Sequence, residues 1–328
     1  MNINGESLRT RQAQNIEAAL LSNREIVSGV PIALLEQYGQ FVDAQNAPGP
    51  ESKTILLTKY VHGNKNSMGR MRDRRKFDAF IAHQDAVYGL LNILSERLNN
   101  NYRLRVALEL LLPHMKLSDS FFQSVQAFQI DRDRALDRIQ CDLSSGADNV
   151  ESLLSHLDGG IRFLVKEYFE GRLNTVVPGR PTESAQLVRM LSEELNKLVR
   201  HTYDTRVFDT SRAQEILTRN NDRIQNDFAQ RHEFVAQEIM NGLSVGNLGV
   251  VLYGAAHFRG GLGASPLEEH FPHCRVFVFE PHKMHEADID IQATQGNWVR
   301  LGMKSVDEVR EAVRKSLATS DRPMPSIS

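Results

Sequence analysis

Four short apolar runs, arranged in two pairs, constrain the fold of this 328-residue chain more than any other feature. The first pair, residues 54–57 and 103–110, flanks a segment at 85–98 in which apolar residues recur at helical spacing. The second pair, 248–253 and 275–279, flanks a shorter helix-like segment. A crossover that joins two parallel strands is right-handed in nearly all folds and brings both carboxyl ends to one sheet edge. The sequence therefore predicts an α/β fold whose central, mostly parallel sheet is built from two β-α-β halves.

The remaining segments are assigned around this sheet. Residues 54–117 and 241–303 are predicted to form the α/β core, and 118–240, which is almost entirely helical in pattern, is predicted to be a large helical insertion. Residues 1–46 show helical spacing and are predicted to form N-terminal helices. Residues 304–328 are predicted to form a short helix followed by a disordered tail that contains Pro and Ser.

Charge and cysteine content restrict the compartment and the partners. The formal net charge of −2 provides no global field for nucleic acid or anionic lipid. Cys141 and Cys274 show neither metal-ligand spacing nor a disulfide framework, and no apolar run is long enough to cross a bilayer. We therefore expect a cytoplasmic protein without a membrane partner. A local basic loop at 65–76 is suited to binding phosphates or RNA, or to covering a cleft as a lid. The sequence does not indicate the oligomeric state.

A side chain that can titrate lies in or after each apolar run. His62 follows the first run, Glu109 lies in the second, His257 follows the third and Glu280 ends the fourth. Because ligands bind outside the carboxyl ends of the strands in open α/β sheets, we expect these four side chains to converge on one cleft. Two imidazoles and two carboxylates suit a three-ligand site for a divalent metal with an open position. They suit equally a metal-free hydrolysis in which a histidine is the general base.

Glu109 and His257 are the candidates that a purely structural role explains least. Glu109 interrupts an apolar strand, where a buried charge is costly unless it is paired or functional. His257 follows a glycine and two alanines, which allow a close approach of the backbone. The plainer alternatives are a solvated strand end for Glu109 and a turn residue for His257. His62 is equally well explained as a surface loop residue, and Glu280 as a strand terminator.

Other candidate motifs are weaker. The sequence contains no glycine-rich phosphate loop, no dinucleotide fingerprint and no Gly-x-Ser-x-Gly elbow. His270-x-x-His273 and His282-x-x-His285 have the spacing of metal pairs. We interpret both as incidental, because the first brackets a Phe-Pro pair and the second lies in a charged loop.

Two sets of segments resemble a known family. In the second half these are Arg-His-Glu-Phe-Val-Ala at 231–236 and Gly-Ala-Ala-His at 254–257, with Gly-Leu at 261–262. In the first half, a strand leads to Lys-Tyr-Val-His at 59–62 and is followed by a helix and Leu-Glu at 108–109. Together they resemble the TraB/PrgY and Tiki family, whose wider superfamily includes the erythromycin esterases and the ChaN haem-iron protein.

The resemblance implies a pocket formed by His62, Glu109 and His257. It also implies that Arg231 reaches in from the preceding helix to bind an acidic group or to stabilise an oxyanion. The first hypothesis is therefore a hydrolase of ester or peptide bonds that acts on a small-molecule or peptide substrate. Its water is activated by a histidine or by a divalent metal, for which Glu280 is a fourth candidate ligand.

Lys59 and Tyr60 depart from the family pattern, because they stand where the family has Gly-Glu. One expected carboxylate is missing, and a nearby cation opposes the binding of a divalent metal. The second hypothesis is therefore a non-catalytic member that binds a ligand, either haem or a small signal. Tyr60 would then be a hydrogen-bond donor or an oxygen ligand to ferric haem. A third hypothesis, nucleic-acid binding through 65–76, is disfavoured because the rest of the chain is not basic.

Overall fold

The fold is described by a computed structural model of the chain. The described residues are 16, 24–45, 52–61, 71–98, 103–145, 150–182, 194, 197–202, 204–205, 207–258, 265–287 and 305–320. The chain divides into two compact units, of which the first comprises Met1–Arg180 and His232–Ile291 and the second comprises Pro181–Arg231 and Gln292–Ser328. Within the ranges given above, no helix is both long enough and apolar enough to cross a membrane.

The first unit contains a six-stranded sheet and a separate two-stranded hairpin in its described part. The strands are β1 (Glu25–Val27), β2 (Val30–Pro31), β3 (Gly39–Gln45), β4 (Lys53–Tyr60), β5 (Leu104–Leu108), β6 (Val176–Pro178), β7 (Leu248–Gly254) and β8 (Cys274–Pro281). Strands β1 and β2 form the hairpin, and the order in the sheet is β3-β8-β4-β7-β5-β6. Strand β3 is antiparallel to β8, whereas the other neighbours are parallel.

Helices cover most of the remaining described chain. They are α1 (Ile32–Leu35), α2 (Arg74–Leu98), α3 (Asp119–Ile130), α4 (Arg132–Ser145), α5 (Val150–Leu157), α6 (Gly159–Phe169), α7 (Thr210–Met240), α8 (Met284–Ala287) and α9 (Val306–Ser320). Single 3-10 turns lie at Leu173–Thr175, Ala255–His257 and Leu267–His270. The predicted α/β fold, with a mostly parallel sheet and a large helical insertion, is confirmed.

The strands of the two predicted halves interlock in the sheet, and the described chain between β7 and β8 contains 3-10 turns. Strand β7 of the second half lies between β4 and β5, and β4 of the first half lies between β7 and β8. The two central strands, β4 and β7, are buried along almost their whole length. Parallel strands that are covered on both faces require such near-continuous apolar runs, which explains why the sequence showed them clearly.

Helices cover both faces of the sheet in the first unit. On one face, alternate strand residues such as Leu56 and Leu252 pack in a core that includes Leu90 of α2 and Phe163 of α6. On the other face, the strand residues are packed with the end of α7. The members of this second core include Ile55, Leu57, Ala107, Val235, Ile239, Val251, Tyr253, Phe258 and Val278. The carboxyl ends of β4, β5 and β7 thus emerge between two helical layers.

The prediction of N-terminal helices over 1–46 is wrong for residues 24–45. These residues form β1, β2 and β3, with only the short α1 between them. Phe41 of β3 packs against Phe277 and Phe279 of β8, with ring centroids 5.7 and 5.1 Å apart. The strand is stabilised by hydrogen bonds to β8, far along the chain, which the local spacing of apolar residues cannot show.

The predicted insertion, residues 118–240, also contains a strand. Strand β6 pairs in parallel with β5 at the edge of the sheet. Its last residue, Pro178, is compatible with this position because a proline is tolerated in an edge strand. The first unit thus includes part of the predicted insertion, through Arg180, and the end of α7 from His232.

The second unit has its own small apolar core. Within the described residues, Leu198, Ala213 and Leu217 pack with Val309 and Val313 of α9. Ala213 and Leu217 are one helical turn apart in the first part of α7, which is the spacing of an amphipathic helix. The predicted C-terminal helix is therefore present as α9, and the predicted tail lies outside the described residues.

Candidate functional site

The structure brings Glu109 and His257 together at the carboxyl ends of two neighbouring strands. Glu109 directly follows β5, and its N–H donates to the carbonyl oxygen of Leu252 in β7 at 3.2 Å. The N–H of Gly254, at the end of β7, donates in turn to Glu109 Oε2 at 2.7 Å. The 3-10 turn Ala255–His257 then places His257 Nε2 at 3.5 Å from Glu109 Oε1. Both side chains are more than nine-tenths buried.

His232 is the third member of this cluster. Its Nε2 lies 2.8 Å from His257 Nδ1, on the opposite side of the His257 ring from Glu109. Its Nδ1 lies 3.0 Å from the carbonyl oxygen of Ser265. The ring of Tyr253 contacts His257 edge-on, with centroids 4.9 Å apart. We call Glu109, His232 and His257 the histidine-glutamate cluster.

Burial keeps His232 uncharged at neutral pH. The side chain has no solvent-exposed surface. Burial, together with the neighbouring imidazoles of His257 and His270, lowers the pKa of His232 to about 3. The pKa of His270 is also lowered by burial. Near pH 7 His232 therefore acts through hydrogen bonds rather than through charge.

The segment after β6 closes one side of the cluster. A Cβ atom at Gly179 would lie 2.5 Å from the carbonyl carbon of Leu108 and 2.6 Å from the nitrogen of Glu109. Only a glycine therefore allows this close approach of the two backbones. The hydroxyl of Tyr253 donates to the carbonyl oxygen of Gly179 and ties the same segment to β7.

Glu280 belongs to a different cluster at the same edge of the sheet. Its Oε1 lies 2.6 Å from Lys59 Nζ, and its Oε2 lies 3.2 Å from His285 Nε2. Burial raises the pKa of the Glu280 carboxyl, but the hydrogen bond and charge of Lys59, with His285 and Gln40, outweigh burial and leave the pKa lowered. Strands β4 and β7 separate β8 from β5, a distance of about 14 Å at the usual strand spacing. Glu280 thus neutralises the charge of Lys59, the cation that the sequence predicted near the pocket.

Tyr60 lies on the other face of the sheet. Its ring packs in the core that contains Leu252, and its hydroxyl donates to Gln84 Oε1 at 3.2 Å. Burial raises the pKa of the Tyr60 phenol well above its usual value, and Asp158 adds to this shift. The phenol is therefore held protonated within a packed layer, whereas a ferric haem ligand would be a phenolate.

Arg231 precedes His232 in α7 but belongs to the second unit. Its Nε lies 2.7 Å from Asp227 Oδ2, one helical turn earlier, and both side chains are buried. The role that the family resemblance gives to Arg231 stays a prediction.

His62 lies outside the described residues. So does most of the basic loop predicted at 65–76, of which the described part starts at Met71. In that part, Arg74 Nε pairs with Asp78 Oδ1 at 2.9 Å, and both side chains are exposed. This ion pair neutralises one charge of the segment.

The described residues do not form a complete metal site. Among them, no group of three or more His, Cys, Asp or Glu side chains is placed to hold a metal ion. Glu109 Oε1 and His257 Nε2 face each other, but both ring nitrogens of His232 already take part in hydrogen bonds. A three-ligand site would therefore need a donor from outside the described ranges, and His62 is the one that the sequence suggests.

His232 was not predicted as a site residue, although the sequence contains a signal for it. His232, Val235, Ala236 and Ile239 are spaced for one face of a helix, and the three apolar residues are buried against the sheet. A histidine on the apolar face of a helix points toward the core. The sequence alone does not show which part of the sheet that face covers.

Comparison with protein-family models, with curated proteins and with solved structures gives no match to this chain. The resemblance to the TraB/PrgY and Tiki family therefore stays a prediction that is based on motifs.

Proposed function

We propose that this chain is a hydrolase of ester or peptide bonds in which His257 and Glu109 form the acid-base pair. One observation supports this proposal. An imidazole and a carboxylate lie 3.5 Å apart at the carboxyl ends of adjacent parallel strands, and this edge is where open α/β sheets bind their ligands. The substrate class is the one expected from the motifs, a small molecule or a peptide.

His257 Nε2 is the atom suited to act as the general base. It would take a proton from the attacking water, and the imidazolium would then give this proton to the leaving oxygen or nitrogen. The carboxylate of Glu109 stabilises the imidazolium, because an opposite charge at this distance favours the charged form. The N–H of Gly254, which donates to the other oxygen of Glu109 at 2.7 Å, holds the carboxylate in place during both steps.

Hydrolysis assays with the full-length chain test this proposal. The substrates are chromogenic esters of graded acyl length and a pool of fluorogenic peptides. We expect the wild type to hydrolyse at least one class, and His257→Gln and Glu109→Gln each to lower kcat/KM by about 10²- to 10⁴-fold, the usual contribution of a general acid or base. His273→Gln changes an exposed histidine outside the cluster and should keep the wild-type rate.

Two outcomes would remove the proposal. One is a wild type that hydrolyses none of the substrates, with or without added Zn²⁺ or Mn²⁺. The other is a wild-type rate in both His257→Gln and Glu109→Gln. Circular dichroism of each variant separates a loss of rate from a loss of folding. His62→Gln, assayed in parallel, tests the role that the sequence alone gives to His62, and a chelator tests the role of a metal.

A further inference from the structure

His232 is the buried neighbour of the acid-base pair. We propose that it is a positioning residue, which holds the proton of His257 on Nδ1 and thereby leaves Nε2, the nitrogen that faces Glu109, to take up and release the proton of the reaction. This inference rests on the proposed function, because it names the group that orients the general base of that reaction.

The directions of the hydrogen bonds between these groups follow from the backbone carbonyl of Ser265, with which the series ends. The carbonyl oxygen of Ser265 can only accept, so His232 Nδ1, at 3.0 Å, carries a proton. A neutral imidazole has one N–H, and Nε2 of a neutral His232 is therefore an acceptor. His257 Nδ1, 2.8 Å away, must then be the donor. The lone pair of a neutral His257 is left on Nε2.

The surroundings of His232 favour its neutral form. The ring is completely buried, and the imidazoles of His257 and His270 have their centroids 5.0 and 5.2 Å from it. A charged His232 would lie beside two groups that can become positive themselves. Tyr253 contacts the ring edge-on at 6.1 Å. The carboxylate of Glu109 is on the far side of His257.

The carbonyl of Ser265 also ends the path for proton transfer. A backbone carbonyl oxygen accepts a hydrogen bond but does not take up the proton, so the Nδ1 proton of His257 cannot leave through His232. The proton that is taken up during the reaction therefore stays on Nε2, next to Glu109, until it is given to the leaving group. A neutral imidazole at position 232 fixes the tautomer of His257 without adding a second negative charge beside it.

The tautomer can be observed without any substrate. Protein labelled with ¹⁵N in its histidines is recorded near pH 8 in long-range ¹H–¹⁵N spectra, and the His257 signals are assigned by their loss in His257→Gln. We expect a protonated Nδ1 and an unprotonated Nε2 in the wild type. His232→Gln keeps an acceptor for His257 and an N–H for Ser265, and should preserve this pattern. His232→Leu has neither group, so we expect the proton of His257 to be no longer confined to Nδ1.

Kinetics separate this inference from the proposed function. On a substrate that the wild type hydrolyses, His232→Leu should lower kcat with little change in KM, by about 10²- to 10⁴-fold as for a misplaced tautomer, and His232→Gln should restore most of the rate.

A wild-type Nε2–H tautomer, or an unchanged pattern in His232→Leu, would overturn the inference. Fixed tautomers in a wild type without hydrolytic activity would instead remove the proposed function and leave His232 as the residue that positions His257. If His232→Leu does not fold, His232→Gln alone tests the inference. A His257 proton that is no longer confined to Nδ1 in His232→Gln would contradict it.

Discussion

The buried polar side chains at the carboxyl edge of the sheet depend on one another. Glu109 accepts from Gly254 and faces His257, and His257 in turn contacts His232. When one partner of a buried hydrogen bond is removed, the other loses its compensation at a cost of about 1–3 kcal/mol. A substitution in this cluster therefore changes stability as well as chemistry, and both need to be measured.

The lowered pKa of His232 makes the stability of the protein depend on pH. The pKa is about 3 in the folded state against a reference of 6.5, so between these values the unfolded chain binds a proton that the folded chain does not. Stability is therefore lost as the pH falls through this window, by about 1.4 kcal/mol per pH unit from this residue. We expect the free energy of unfolding, measured in urea from pH 6 to pH 4, to fall less steeply in His232→Gln than in the wild type.

The exposed His273 provides the control for this experiment. His273→Gln removes an exposed histidine that is not part of the histidine-glutamate cluster, and it should keep the wild-type slope. Equal slopes for the wild type and His232→Gln would show that His232 is not held neutral by its surroundings.

At the scale of elements, the sequence predicted the strands that are buried on both faces. Strands β4, β5, β7 and β8 lie where the four apolar runs are, because parallel central strands need such runs. Strands β3 and β6 lie at the two edges of the sheet and were missed, since their identity depends on partners far along the chain. For the same reason the sequence placed Glu109 and His257 near strand ends, and they lie directly after β5 and in the turn after β7. It did not predict that His232 lies beside His257, because this contact depends on how α7 packs.

The close contact of Gly179 with the end of β5 leads to a prediction at this scale. Gly179→Ala would place a Cβ atom 2.5 Å from the backbone of Leu108, so β6 or Glu109 must shift. We expect a loss of about 1–3 kcal/mol in the free energy of unfolding, measured by urea denaturation. Gly171→Asn is the matched control, because a Cβ atom added there would meet nothing within 4 Å outside its own local backbone, and Asn tolerates the φ of 72°.

The result for Gly179→Ala also concerns the site. If Glu109 moves, the proposed hydrolysis should fall together with stability, whereas the control should change neither by much. A stable Gly179→Ala protein with full activity would mean that the two backbones are not packed as described.

At the scale of the molecule, the order of the strands in the sheet determines which strands open most readily to solvent. Strands β4 and β7 are the two innermost strands, β8 and β5 flank them, and β3 and β6 lie at the edges. Regions with few buried contacts open most readily. We expect the amides of β4 and β7 to exchange most slowly among the described strands, as measured by hydrogen–deuterium exchange with mass spectrometry. Protection of β3 equal to that of β7 would contradict this order.

The position of β7 between β4 and β5 has a consequence during synthesis. A nascent chain that has emerged only as far as α6 already carries both strands of the first half, but the strand that separates them has not yet been made. The backbone donor of the Glu109 side chain is Gly254, which is synthesised 145 residues after Glu109. A chain released early therefore lacks both His257 and the donor that holds the Glu109 side chain, so the proposed acid-base pair requires the second half of the sheet.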